Sequence, residues 1–155
     1  MYALIHGNLT RQFKGLELLL SLLEEEFELL CARDTDAITT LEFSIHELLR
    51  QIATERVSLK DTLQGTRLLE YADLLPDEDE AQETRRLYHL IDALEQRASR
   101  QATRNTELSL ALLDQSQSLL SFLHDQISPK QTQCYGRGGK INDNRPGAAI
   151  YSGRF

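Results

Sequence analysis

Apolar residues recur along most of this chain in steps of four and three. Leu9, Phe13, Leu16, Leu20, Leu23, Phe27 and Leu30 form the first such series, and that interval keeps side chains on one face of a helix. Leu18, Leu19, Leu22 and Leu29 widen the stripe beyond a two-stranded seam. The pattern predicts a helix over residues 8–32 with Asn8 as its N-cap, about 38 Å long at 1.5 Å per residue. Gly15 inside it costs about 1 kcal/mol relative to Ala, which so long an element tolerates.

Arg33-Asp34-Thr35-Asp36 interrupts the series, and Asp36 (or Asp34) can cap a second helix over 36–64 by accepting its first free amides. The stripe of this helix is Ile38, Leu41, Ile45, Leu48, Ile52, Leu59 and Leu63, with Glu55 in one seam position and Gly65 as a stop. The short connection makes the first two helices an antiparallel hairpin. Leu68, Leu69, Tyr71, Leu74 and Leu75 form a short helical piece over 66–75, ended by Pro76. The acidic run Asp77 to Glu80 then suits the start of a long helix over 78–128, where negative charge meets unpaired amides.

The seam of that helix reads Leu87, Ile91, Leu94, Ala98, Gln101, Asn105, Leu108, Leu112, Gln115, Leu119 and Phe122. Roughly 50 residues of helix would reach about 75 Å. Between Glu95 and Glu107 large apolar side chains are almost absent, so the helix there either outruns the hairpin or spans a thin part of the bundle. Beyond it Leu108, Leu112, Leu119 and Phe122 make one stripe, and Leu113, Leu120 and Leu123 add a second. Apolar residues on that much of the circumference need more than one partner surface. The expected fold is all-α: an elongated antiparallel bundle of three main helices.

Composition agrees. Leu dominates, Trp is absent and aromatics make up 6%, which favours helices zipped by Leu over a sandwich or barrel. From Pro129 onward Gly, Asn, Lys and Arg replace the periodic pattern, and a flexible, basic tail over 129–155 is expected. That tail still carries Tyr135, Ile141, Ile150, Tyr151 and Phe155, apolar anchors that a pure spacer would not need. Residues 1–128 hold 12 Lys/Arg and 23 Asp/Glu, a net charge of −11, whereas residues 129–155 carry +4. An acidic body argues against binding a phosphate backbone, so no nucleic-acid partner is expected. No signal-peptide pattern opens the chain and no stretch approaches the roughly 20 apolar residues that span a bilayer, so the expected address is cytoplasmic, without membrane insertion.

Catalytic chemistry has little to work with. His6, His46, His89 and His124 are isolated from one another, and His124-Asp125 and His46-Glu47 are neighbours that face different directions on a helix. Cys31 and Cys134 show no metal or redox spacing. Gly136-Arg137-Gly138-Gly139 lacks the strand, helix and Lys-Ser/Thr pair of a phosphate cradle. Neither an enzyme nor a cofactor or metal site is expected.

Taken together, the Leu-Leu-Glu-Glu-Glu run from Leu22 to Glu26, the short Asp-containing break, the long last helix and Tyr135-Gly136-x-x-Gly139-Lys140 resemble the FlgN-type flagellar export chaperones over nearly the whole chain. The resemblance implies a cytoplasmic chaperone that binds the terminal helical region of hook-associated (hook–filament junction) proteins, prevents their premature assembly and delivers them to the flagellar type III export gate. Components of the export ATPase are further implied partners. On this resemblance Leu108, Leu112, Leu119, Phe122 and Leu123 would be the client-binding groove, and Tyr135 with Gly136 would dock on the cytoplasmic domain of the gate. A structural coiled-coil adaptor of a secretion apparatus would use the same helices, but has no reason to end in Tyr135-Gly136 and scattered aromatics.

Overall fold

The computed structural model describes residues 1–127. They form four helices, α1 (Tyr2–Ala32), α2 (Thr35–Leu63), α3 (Leu68–Asp73) and α4 (Glu78–Ile127), with no strand among them. The start of α1 differs from the sequence expectation, because Asn8 is not a cap. It lies inside the helix and is buried. At the other end of α1, Arg33 adopts the left-handed conformation (φ 58°), and its amide and that of Asp34 return to Leu30 and Leu29 carbonyls. Asp34 then caps α2 by accepting the Ala37 amide at 3.1 Å, leaving Asp36 to face the helix dipole from the first turn. At the end of α2, Gln64 and Gly65 both take positive φ, 50° and 91°.

The chain divides into two compact units, one covering Met1–Gln115 and the other beginning at Ser116. In the first unit the periodic positions become the core: Leu9, Leu16, Leu20 and Leu23 of α1, Ile45 and Ile52 of α2, and Leu87, Ile91, Leu94 and Ala98 of α4 share one cluster. α1 and α2 run antiparallel, since Arg11 pairs with Glu55 while Gly15 lies against Ile52 and Leu48. A Cβ on Gly15 would stand 3.1 Å from the Ile52 Cγ1, so the missing side chain is what lets the two helices approach here.

The Glu55 seam position is explained by a polar cluster. Asn8 Nδ2 donates to the Glu55 backbone carbonyl at 2.8 Å and to its carboxylate at 2.6 Å. Gln12 donates to Asn8 Oδ1, and the Arg11 guanidinium grips the carboxylate through Nε and Nη2 at 2.7 and 2.9 Å. Every buried side-chain nitrogen and oxygen in the described residues finds a partner, as a cluster inside an apolar seam requires. The Arg11 hydrogen bonds hold the Glu55 carboxyl below its usual range, against the opposing effect of burial. An unfolded Glu titrates near about 4.3, so the stability this group contributes is complete above that pH and is lost as pH falls through the lower folded value. Urea unfolding followed from pH 6 to pH 3 should show this loss, and Glu55→Gln should flatten the curve.

α3 is tied to α4 by Arg85, which reaches Asp73 at 2.8 Å and Glu78 at 3.5 Å. Along its middle α4 stays on the bundle. Ala98 is buried, Arg56 of α2 pairs with Glu95, and Arg104 stacks over the Phe27 ring at 4.8 Å. The small side chains Ala98, Ser99 and Ala102 leave an apolar cavity of about 390 Å³ against α1 and α2, which is the thin part of the bundle. Asn105 secures α4 just beyond it: its Nδ2 donates to the Leu23 carbonyl at 2.7 Å and to the Glu26 carboxylate at 2.6 Å. A buried amide in a seam sets the register of one helix on another. Asn105→Ala would leave the Glu26 carboxylate without this donor, and urea denaturation should show a loss of about 1–3 kcal/mol.

Candidate functional site

The distal part of α4 is built of Leu, Ser, Gln and Ala, residues that sustain a helix, and between Leu108 and Ile127 only Asp114 and Asp125 carry a formal charge. In the first unit Leu108 and Leu112 are half-buried, Leu110 and Leu113 are exposed, and Arg33 Nη2 donates to Gln115 Oε1 at 2.7 Å. In the second unit Leu119, Phe122 and Leu123 are 57%, 58% and 44% exposed, and Leu120 and Ile127 are exposed with them. Sequence periodicity identified Leu113 and Leu120 as a second stripe and missed Leu110 and Ile127. Ile127 was legible as the next step of seven after Leu113 and Leu120.

Leaving a Leu or Phe side chain in water rather than burying it forgoes about 1.5–3 kcal/mol. Apolar side chains this closely spaced and this exposed make distal α4 a candidate interaction surface. In the first unit helical geometry at 100° per residue sets Leu108 and Leu112 about 40° apart; in the second it places Leu119, Phe122 and Leu123 within one third of the circumference, with Leu120 and Ile127 beside them. A face of this kind can present knobs and holes to a partner helix. Among the described residues no cluster of three or more His, Cys, Asp or Glu could hold a metal ion, and the acidic run Glu24 to Glu26 serves partly in structure, with Glu26 accepting from Asn105. Among the same residues no helix is long and apolar enough to cross a membrane. Tyr135 and Gly136 lie outside the described residues.

A family model described as FlgN protein matches residues 1–143, a span that takes in α1 to α4 and continues past Tyr135-Gly136. The chain belongs to the FlgN family. It is therefore a flagellar export chaperone, a protein of bacterial flagellum biogenesis. Neither the curated proteins nor the solved structures contain a match to it.

Proposed function

We propose that this FlgN-family chain acts in the cytoplasm, binds the terminal helical region of hook-associated proteins along distal α4, and delivers them to the flagellar type III export gate. The observation that carries the reading is the exposure of Leu119, Phe122 and Leu123 on a helix that has almost no charge around them. An amphipathic client helix laid along that face buries its own apolar stripe, and a client so covered cannot assemble early. Leu108 and Leu112 are assigned to the same client-binding set. Mixing the purified chain with the terminal segment of a hook-associated protein should give a 1:1 complex by size-exclusion chromatography with light scattering. Two separate species across the micromolar range would reject the reading.

Delivery is assigned to Tyr135, with Gly136 beside it, and the export ATPase components are partners reached at the same apparatus. A tyrosine can place its ring in an apolar pocket while its hydroxyl remains paired or wet. Tyr135→Ala is expected to leave folding and client affinity unchanged and to weaken binding to the cytoplasmic domain of the gate by about 30-fold, the effect of losing one buried aromatic anchor. Isothermal titration of the mutant against both partners checks this. Unchanged gate affinity with a lowered melting temperature would instead make Tyr135 a packing residue.

A further inference from the structure

The middle of α4 carries a basic stripe. Arg97, Arg100 and Arg104 are exposed, and at 100° per residue they fall within about 60° of one another, to one side of the buried face formed by Leu94, Ala98 and Asn105. Leu108, four residues past Arg104, continues the row within the same unit. Residues 1–128 hold 23 Asp/Glu against 12 Lys/Arg, and Arg11, Arg50, Arg56, Arg85 and Arg86 each pair with a carboxylate. The stripe does not. Arg97, Arg100 and Arg104 make no ion pair among the described residues, although Arg104 lies over the Phe27 ring and donates to the Gln101 amide oxygen at 3.3 Å. Of the acids that flank them on α4, Glu95 is held by Arg56 and Glu107 pairs with none of the three.

Like charges three and four residues apart on a helix repel, so the stripe weakens the free helix, and a carboxylate-bearing partner would relieve the repulsion. A guanidinium fork fits a carboxylate through two parallel hydrogen bonds. A phosphate backbone would meet the net charge of −11 that residues 1–128 carry, which disfavours it. We propose that Arg97, Arg100 and Arg104 bind carboxylates at one end of the client helix and so fix its direction on α4. The inference rests on α4 being the client site. Between Leu108 and Ile127 only Asp114 and Asp125 carry a formal charge, and apolar contacts alone hold a helix in either direction. Charged groups at one end choose between the two and set the register. The client segment is then amphipathic, with its Asp and Glu residues gathered at the end that lies beside Arg97 to Arg104.

Fluorescence anisotropy of a labelled terminal segment of a hook-associated protein, titrated with the full chain, tests this. Arg97→Glu with Arg100→Glu should weaken binding by about 30-fold or more in about 50 mM salt. The gap should narrow in about 500 mM salt, where exposed charges are screened. Arg97→Gln with Arg100→Gln should lose less than the charge reversal. Both double variants should keep their helicity by circular dichroism, because the positions are exposed and the substitutions remove a repulsion. A segment with its Asp and Glu replaced by Asn and Gln should bind the wild type weakly and discriminate little between it and either variant. Equal affinity of the wild type and both variants for the unmodified segment overturns the proposal and leaves α4 as the client site. So does a loss that salt does not reduce, or an Asn/Gln segment that loses as much as the unmodified one. An unmodified segment that fails to bind the wild type rejects the client site itself, and the proposal with it.

Discussion

Replacing Leu119 and Phe122 together by Asp is expected to abolish client binding while the helical bundle stays folded. Both side chains are more than half exposed, so neither carboxylate has to be buried in the free chaperone and the desolvation cost of a lone charge does not arise there. In the complex both positions would face the apolar stripe of the client helix. Loss of two anchors of about 2 kcal/mol each corresponds to roughly a thousandfold in affinity. Circular dichroism and melting of the double variant should match the wild type. Leu112 is a poorer probe, because it is half-buried and Asp there would act on folding as well. Binding retained by the double variant would move the client site off distal α4.

The largest effect on stability is expected in the core of the first unit. Leu9 is 2% exposed and lies in the cluster shared by α1, α2 and α4, so Leu9→Ala should cost about 3 kcal/mol, within the 2–5 found for truncating buried leucines. Leu119→Ala removes the same atoms from an exposed site and should stay within about 0.5 kcal/mol. Urea unfolding of the two variants compares them directly. Similar losses at both positions would mean that distal α4 is packed as core, and the interaction surface would have to be sought elsewhere.

Much of this architecture is legible in the sequence because the core of a helical bundle is written in spacing. The steps of four and three from Leu9 to Leu30 and from Leu87 to Ala98 lead to residues that are buried or half-buried. What misled the reading was a polar residue with two uses. Asn8 is a good N-cap by type, but with Tyr2, Ala3, Leu4 and Ile5 before it the helix starts earlier, and the amide is drawn into the seam by Glu55, 47 positions away. Local propensity cannot report a partner that distant. The place of Glu55 in the second stripe has the same distant partner. The poor stretch from Glu95 to Glu107 left two readings open, and only the bonds of Asn105 to α1 and of Glu95 to Arg56 distinguish them. In the candidate site the apolar stripe was readable, but its exposure was not, since periodicity gives the face of a helix and not what covers it.

Hydrogen exchange of the whole chain, with and without the terminal segment of a hook-associated protein, tests the central claim most directly. Exchange read by mass spectrometry resolves the hairpin from the distal helix in a single experiment and needs no substitution. Client binding along α4 should slow exchange in peptides covering 108–127 and leave those covering 35–63 as they were. Protection confined to the hairpin, with residues 108–127 exchanging as fast as in the free chain, would contradict it.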